Sequence, residues 1–309
     1  MATETARPPG QVMAPRLPSD IAQTQPRAPE QARRLIGGLL RVRGAAFGLG
    51  VLVVLIILAV GADLIAPRQP NLQTYTDVLQ PPSAAFLLGT DDLGRDVLSR
   101  IIHGSRVSLE VGLISIGLSL VGGVPLGLVA GYFGGRLDDL LMRIMDAMFA
   151  FPALVLALAI TAALGMGIGN AMIAIGLVQV PVFARLVRGQ VLTIRERDYV
   201  AAARLLGASS GRIMRDHVWP NVTAPVIVQS SLGVTTAIIT EASLSFLGVG
   251  VLPPTPSWGS MLSQGYQYLE TAPWLAAASG AAIFVTVLGL NFFGDGLRAM
   301  LDPRLARKR

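Results

Sequence analysis

Cysteine is absent from the 309 residues, histidine occurs only at His103 and His217, and Lys308 is the one lysine. The first absence excludes disulfide staples, thiolate metal sites and a cysteine nucleophile. Two histidines are too few for a multi-histidine metal centre. Without a lysine ahead of position 308 there is no P-loop, whose phosphate cradle needs a lysine after its glycine run. ATP hydrolysis by this chain alone is therefore excluded, and neither a catalytic residue nor a metal ligand is assigned. Charge is scarce too. Charged residues make up 14% of the chain against 52% hydrophobic, and the mean hydropathy is +0.58. A soluble fold needs more polar surface than this, so the composition places the chain in a membrane.

Residues 1–43 are rich in Pro, Ala, Gln and Arg and show no apolar period. They read as a disordered tail, because they cannot bury enough surface to offset their ordering entropy. A tail of this length ahead of a span-length apolar run argues against a cleaved signal. Gly44–Ala62 and Val111–Gly135 carry no charge, and each is long enough to cross a bilayer. Ala147–Ala184 is also free of charge. As one helix it would run roughly 57 Å, about twice the hydrocarbon thickness. The run Gly165-Met166-Gly167-Ile168-Gly169-Asn170 in its middle reads as a tight turn between two spans. Val222–Val249, expected to end at Pro253, Pro254 and Pro256, and Thr271–Gly294 complete the count. The expected fold is all-α and integral to the membrane, with six transmembrane helices.

Arginine placement orients the spans. The tail, the segment between spans four and five, and the C-terminal end carry a basic excess. After span one, Arg68, Arg95, Arg100 and Arg106 are balanced by Asp77, Asp91, Asp92 and Asp96. Both termini are therefore cytoplasmic, and Trp258, Tyr266, Tyr268 and Trp274 are expected at the outer interface. The chain divides into a cytoplasmic tail (1–43), a first span (44–66), an outer-face loop (67–107), a five-helix domain (108–296) and a basic cytoplasmic end (297–309).

The segment RERDYVAAARLLGASSGRIMRDHVWPN, Arg195 to Asn221, is too long for a plain hairpin. Asp198 is placed to cap a short helix through Tyr199–Leu206, and Gly207 to end it. Ile213 and Met214 are expected to start a second helix closing near Pro220. A short crosswise helix with Arg204 and the small Ala202 and Ala203 exposed is a shape for docking into a partner's groove. The pattern Ala202-Ala203-x3-Gly207, followed by Ile213 and by His217-Val218-Trp219-Pro220-Asn221, resembles the EAA loop of ABC-importer permeases. Three further stretches resemble the dipeptide/oligopeptide/nickel permease group, and within it the C-type subunit. They are LGTDDLGRDVLSRIIHGSRVSL (Leu88–Leu109), EASLSFLGVGVLPPTPSWGSML (Glu241–Leu262) and NFFGDGLRAMLDPR (Asn291–Arg304).

The resemblance implies a type I permease bundle in a bacterial inner membrane. It implies a second, B-type permease as heterodimer partner, two ABC ATPase subunits that use ATP and magnesium, and an external substrate-binding protein. No cofactor is implied on this chain. Tyr199, Ala202, Ala203, Arg204, Gly207, Ala208, Ile213, His217, Pro220 and Asn221 become candidates for coupling to the ATPases. Ala201 stands where the glutamate naming the loop is usual, and Trp219 where leucine precedes the proline. Alanine keeps the helix, so coupling is expected to rest on shape, Arg204 and Gly207. Dipeptides, longer peptides, glutathione-like molecules and chelated nickel are all open as substrates. Another importer branch and a stand-alone carrier are the alternatives.

Glu241 is the only acid well inside a span. An intramembrane acid suggests a path-lining role together with Ser243 and Ser245, and the bland reading is a carboxylate hydrogen-bonded within the bundle to those serines. Arg143 and Asp146 are spaced to pair at the start of span three. Gly123, Gly127 and Gly131 form a stripe for close helix packing, either inside the bundle or against the partner permease. The acids at Asp91, Asp92 and Asp96 miss the spacing of a calcium loop and are expected to pair with Arg95 and Arg100. The Arg185–Arg215 segment owes its charge to the positive-inside rule and not to nucleic acid.

Overall fold

The computed structural model describes residues 43–301. The expected tail and the last basic residues lie outside them. Among the described residues the secondary structure is helical apart from one isolated bridge between Thr90 and Asp96. Five helices are long and apolar enough to cross a membrane: α1 (Arg43–Val60), α2 (Val97–Phe133), α5 (Ile168–Arg195), α7 (Ser210–Phe246) and α9 (Pro273–Leu301). The helices α3 (Gly135–Phe149) and α4 (Ala153–Leu164), bent by 92°, make a sixth span when the pair is counted as one. The break falls at Pro152, which lacks an N–H and disfavours helical backbone in the residue before it. Among the shorter helices are α6 (Asp198–Leu205) and α8 (Trp258–Gln267), besides single turns at Ala62–Ile65 and Tyr75–Asp77.

α2 begins within the segment expected to be an outer loop. Asp96 caps it by accepting from the Ser99 backbone N–H at 2.9 Å and the Ser99 hydroxyl at 2.6 Å. The helix then runs 37 residues, roughly 56 Å, so it stands well clear of a core about 30 Å thick. Gly134, at φ +67, ends it. Its outer end is fixed by charge. Arg95 pairs with Asp91 at 2.7 Å, and Arg100 lies 3.5 Å from the same carboxylate. Asp91 also accepts from the backbone N–H groups of Leu93 and Arg95. These acids are thus spent on arginines and backbone donors.

The bundle centres on the contact between α2 and α5. A Cβ on Gly123 would lie 2.6 Å from the Val180 carbonyl oxygen, one on Gly127 2.5 Å from that of Ala184, and one on Gly131 2.8 Å from the Val191 Cβ. The stripe therefore lets two helices of the same chain approach backbone to backbone, and the partner permease is not its contact. α1 packs on α9 in the same manner, with Gly48 against Gly289 and Phe293.

Three further expectations change. Asp146 pairs with Arg185 at 2.5 Å and not with Arg143, because α3 lies along α5 and not free at an interface. Arg185 also stacks over Phe149 at 4.0 Å, and one turn further along α5 Arg188 holds both oxygens of Asp138, at 2.5 and 2.7 Å. Trp258 is buried rather than at the lipid interface. Its indole N–H donates to the Ile101 carbonyl at 2.9 Å, and Gly104 leaves room for the ring. α7 ends at Phe246 ahead of the prolines, because Gly248 adopts φ +82 and the Val249 N–H turns back to the Leu244 carbonyl.

Gly117, on α2, has no atom within 4 Å of an added Cβ. Gly127→Ala is expected to lower the stability of the assembled protein by about 1–3 kcal/mol through overpacking. Gly117→Ala should be neutral or raise it by up to about 1 kcal/mol. Thermal unfolding midpoints of the two variants in detergent check the difference.

Candidate coupling loop

α5 ends at Arg195, whose guanidinium reaches back 2.9 Å to the Gly131 carbonyl and so ties the cytoplasmic ends of α2 and α5 together. α6 follows after one turn. The cap position is Arg197, not Asp198, and no side chain closes it. Asp198 lies in the first turn, where its charge complements the helix dipole. The helix stops one residue earlier than expected, at Leu205. Gly207, at φ +81, turns the chain, and the Ala208 N–H donates to the Ala203 carbonyl at 3.0 Å. A non-glycine residue at Gly207 would be strained by its backbone alone, since open space surrounds it.

Ser209 then caps α7 by accepting from the Arg212 N–H. The second helix expected to close near Pro220 does not close there. It starts at Ser210, widens into a π turn over Met214–Val218, and continues to Phe246. Pro220 cannot donate to the turn before it, and its ring crowds the carbonyl one turn back. The widened turn accommodates both effects. The Asn221 carboxamide donates to the His217 carbonyl at 2.7 Å, and the Tyr199 and His217 rings lie 6.1 Å apart.

The loop is not a free appendage. Val200 of α6 and Ile213, Val218, Val222 and Val226 of α7 are buried in one cluster with Val124 of α2 and Val187, Val191 and Ile194 of α5. Ala203 and Ala208 pack against this cluster, so Ala203 is half-buried where the sequence suggested exposure. Ala202 is exposed, and so is Ala201, which leaves no buried partner missing the family's glutamate. The Arg204 guanidinium sits 6.0 Å from the Tyr132 ring.

Sequence reasoning missed Leu205 and Leu206, which are 89% and 88% exposed. Leaving a leucine in water forgoes about 1.5–3 kcal/mol, and two adjacent ones at the free end of α6 form a ready apolar contact. The available signal was a Leu-Leu pair directly before a helix-ending glycine in an otherwise arginine- and alanine-rich loop.

The intramembrane candidates separate. Glu241 and Ser245 are 1% and 3% exposed, enclosed within the chain's own bundle. The Ser245 hydroxyl donates to Glu241 at 2.7 Å and accepts from the Val251 N–H at 2.9 Å. Acid, serine and outer turn thus form a latch, and the second Glu241 oxygen has no partner among the described residues. Ser243 instead edges an open apolar groove of about 440 Å³ with Leu154, Ile239 and Phe246. Ser245→Ala removes one donor and one acceptor at once. It is expected to lower stability by roughly 1–3 kcal/mol, measured by thermal unfolding, while Ser243→Ala changes it little.

A bundle of membrane-length helices with a loop packed into its core is the architecture that the resemblance to importer permeases implies. Comparison with known proteins makes this specific. Residues 123–307 match the family described as binding-protein-dependent transport system inner membrane component, and the chain belongs to it. Residues 33–82 match the N-terminal TM domain of oligopeptide transport permease C. The chain is 43% identical to the dipeptide transport system permease protein DppC of Alkalihalophilus pseudofirmus, covering 99% of both chains. It is 48% identical to the di/tripeptide transport system permease protein DppC of Pseudomonas aeruginosa, over 85% of this chain and 89% of that one. It is also 43% identical to the glutathione transport system permease protein GsiD of Pectobacterium atrosepticum, over 84% and 86%. Among solved structures it is similar in fold to the inward-facing MetNI methionine ABC transporter. That match has a TM-score of 0.55 and 19% identity, and covers 65% of this chain and 96% of that chain. The protein is a multi-pass inner-membrane permease of a binding-protein-dependent importer.

Proposed function

We propose that this chain forms half of a translocation path for di- and oligopeptides, with a second permease of the B-type supplying the other half. The observation that carries the coupling part of this reading is the joint burial of Val200 and Ile213 with residues of α2 and α5. Force applied to the exposed end of α6 passes directly into the spans, because a close-packed core shifts as a unit. Two ATPase subunits bind and hydrolyse ATP with magnesium, and an external binding protein delivers the solute. Closure of the ATPases pushes on Leu205, Leu206 and the Gly207 turn, and the bundle alternates between outward and inward openings. The chain itself binds no cofactor in this scheme.

The peptide reading draws on the names of the dipeptide and di/tripeptide permeases that the chain resembles. A glutathione-like substrate is the second reading, favoured by the resemblance to the glutathione permease. Uptake of a labelled dipeptide by the reconstituted complex, competed separately by tripeptide, glutathione and a nickel chelate, ranks these solutes. Absence of dipeptide uptake by a complex that takes up labelled glutathione or the chelate would remove the peptide reading.

Two variants test the coupling. Gly207→Trp, in open space, is expected to leave membrane insertion intact while abolishing both transport and substrate-stimulated ATPase activity. Leu205→Glu should weaken ATPase association by about 2 kcal/mol or more, the range of an interface hot spot. Co-purification of the ATPase subunits with the membrane-inserted variant measures it, and undiminished association would exclude Leu205 from the docking surface.

A further inference from the structure

The cytoplasmic ends of α5, α7 and α9 border an open cavity of about 700 Å³. Its lining changes character with depth. Arg197, Asn221 and Arg298 stand at the cytoplasmic mouth, Gln190 and Thr193 come next, and Leu186, Val228 and Leu232, with Gln229 as the one polar side chain among them, form the wall toward the membrane interior. From Asn221 to Leu232 the wall of α7 extends roughly 16 Å, longer than a headgroup and suited to a hydrocarbon chain. Among the described residues no carboxylate lines this cavity, so an anion meets no like charge from them inside it. Arg197 makes no ion pair among the described residues. The Thr193 hydroxyl donates to the Gly189 carbonyl and keeps its acceptor side open. A second hollow of about 480 Å³ shares Gln190, Thr193, Arg197 and Asn221 and opens onto Asp198 and Tyr199 of α6.

We propose that this cavity binds an anionic phospholipid of the inner leaflet. Its phosphate sits between Arg197 and Arg298, its headgroup hydroxyls meet Gln190 and Asn221, and an acyl chain lies along Leu186, Val228 and Leu232. Basic recesses between spans on the cytoplasmic side are suited to such headgroups. A peptide on its way out fits the cavity less well, because its ammonium group would have to reach Asp198 in the adjoining hollow while its apolar length lies along α7. Arg197 leads directly into α6, so an occupied site holds the start of the coupling helix and ties coupling to the lipid around it.

The test uses the complete importer purified in mild detergent, with retained lipid identified by native mass spectrometry and titrated back as phosphatidylglycerol. Wild type is expected to retain and rebind phosphatidylglycerol. Loss of both charges in Arg197→Gln/Arg298→Gln should weaken rebinding roughly thirty-fold. Arg197→Lys/Arg298→Lys should keep most of it. Val228→Trp, which fills the hydrocarbon part and leaves both arginines in place, should also lose it. Rebinding unchanged in both the Gln and the Trp variants overturns the proposal. So does displacement of the lipid by millimolar inorganic phosphate, which would assign the site to a soluble anion, or by a dipeptide, which would assign it to the exit path.

Discussion

The burial of Val200 and Ile213 among valines of α2 and α5 is the constraint on which the rest of this permease depends. In the proposed scheme this permease receives motion from separate ATPase chains, and such motion passes inward only where a surface element is continuous with the core. The shared aliphatic cluster supplies that continuity. It needs α2 and α5 to be in contact, which the Gly123, Gly127 and Gly131 stripe provides. The π turn before Pro220 lets α7 leave the cluster and continue into the membrane without a break.

The opposite end of the molecule is built on charge and hydrogen bonds. Asp91 gathers Arg95, Arg100 and two backbone donors, and the Trp258 indole ties α8 to α2. Glu241, Ser245 and Val251 latch the turn that follows α7. A buried acid with a single donor is costly to hold in place, and here it fastens a turn where the helix ladder has ended. Both ends combine packing with directional bonds: the cytoplasmic end sets the Arg188–Asp138 and Arg185–Asp146 pairs beside the aliphatic cluster that lies beneath two exposed leucines.

Much of this was legible in the sequence. The turn after Leu164 was readable from its glycines and Asn170, whose carboxamide donates to the carbonyls of Leu164 and Gly165. The short helix α6 was readable from the length of its segment, and the turn at Gly207 from its place after an alanine-rich run. Other features were not legible, because they are pairings between distant segments. Arg143 and Asp146 have good helical spacing, yet Asp146 found Arg185, a residue on another helix that faces it only once α3 lies along α5. Trp258 looked interfacial by type and became core because Gly104 vacates the space its ring fills.

What the sequence alone determined is the solvent and the scheme of crossing. Uninterrupted apolar runs must be helical where water cannot satisfy the backbone, and arginine placement fixes which side each connection occupies. What only the tertiary structure decided is which face of each helix is inside. Hydropathy is nearly uniform around a membrane helix, so it carries no signal for facing. Close approach of glycine backbones, ion pairs across helices and the shape of the cavity at the cytoplasmic mouth settle that question, and each exists only after the helices have met.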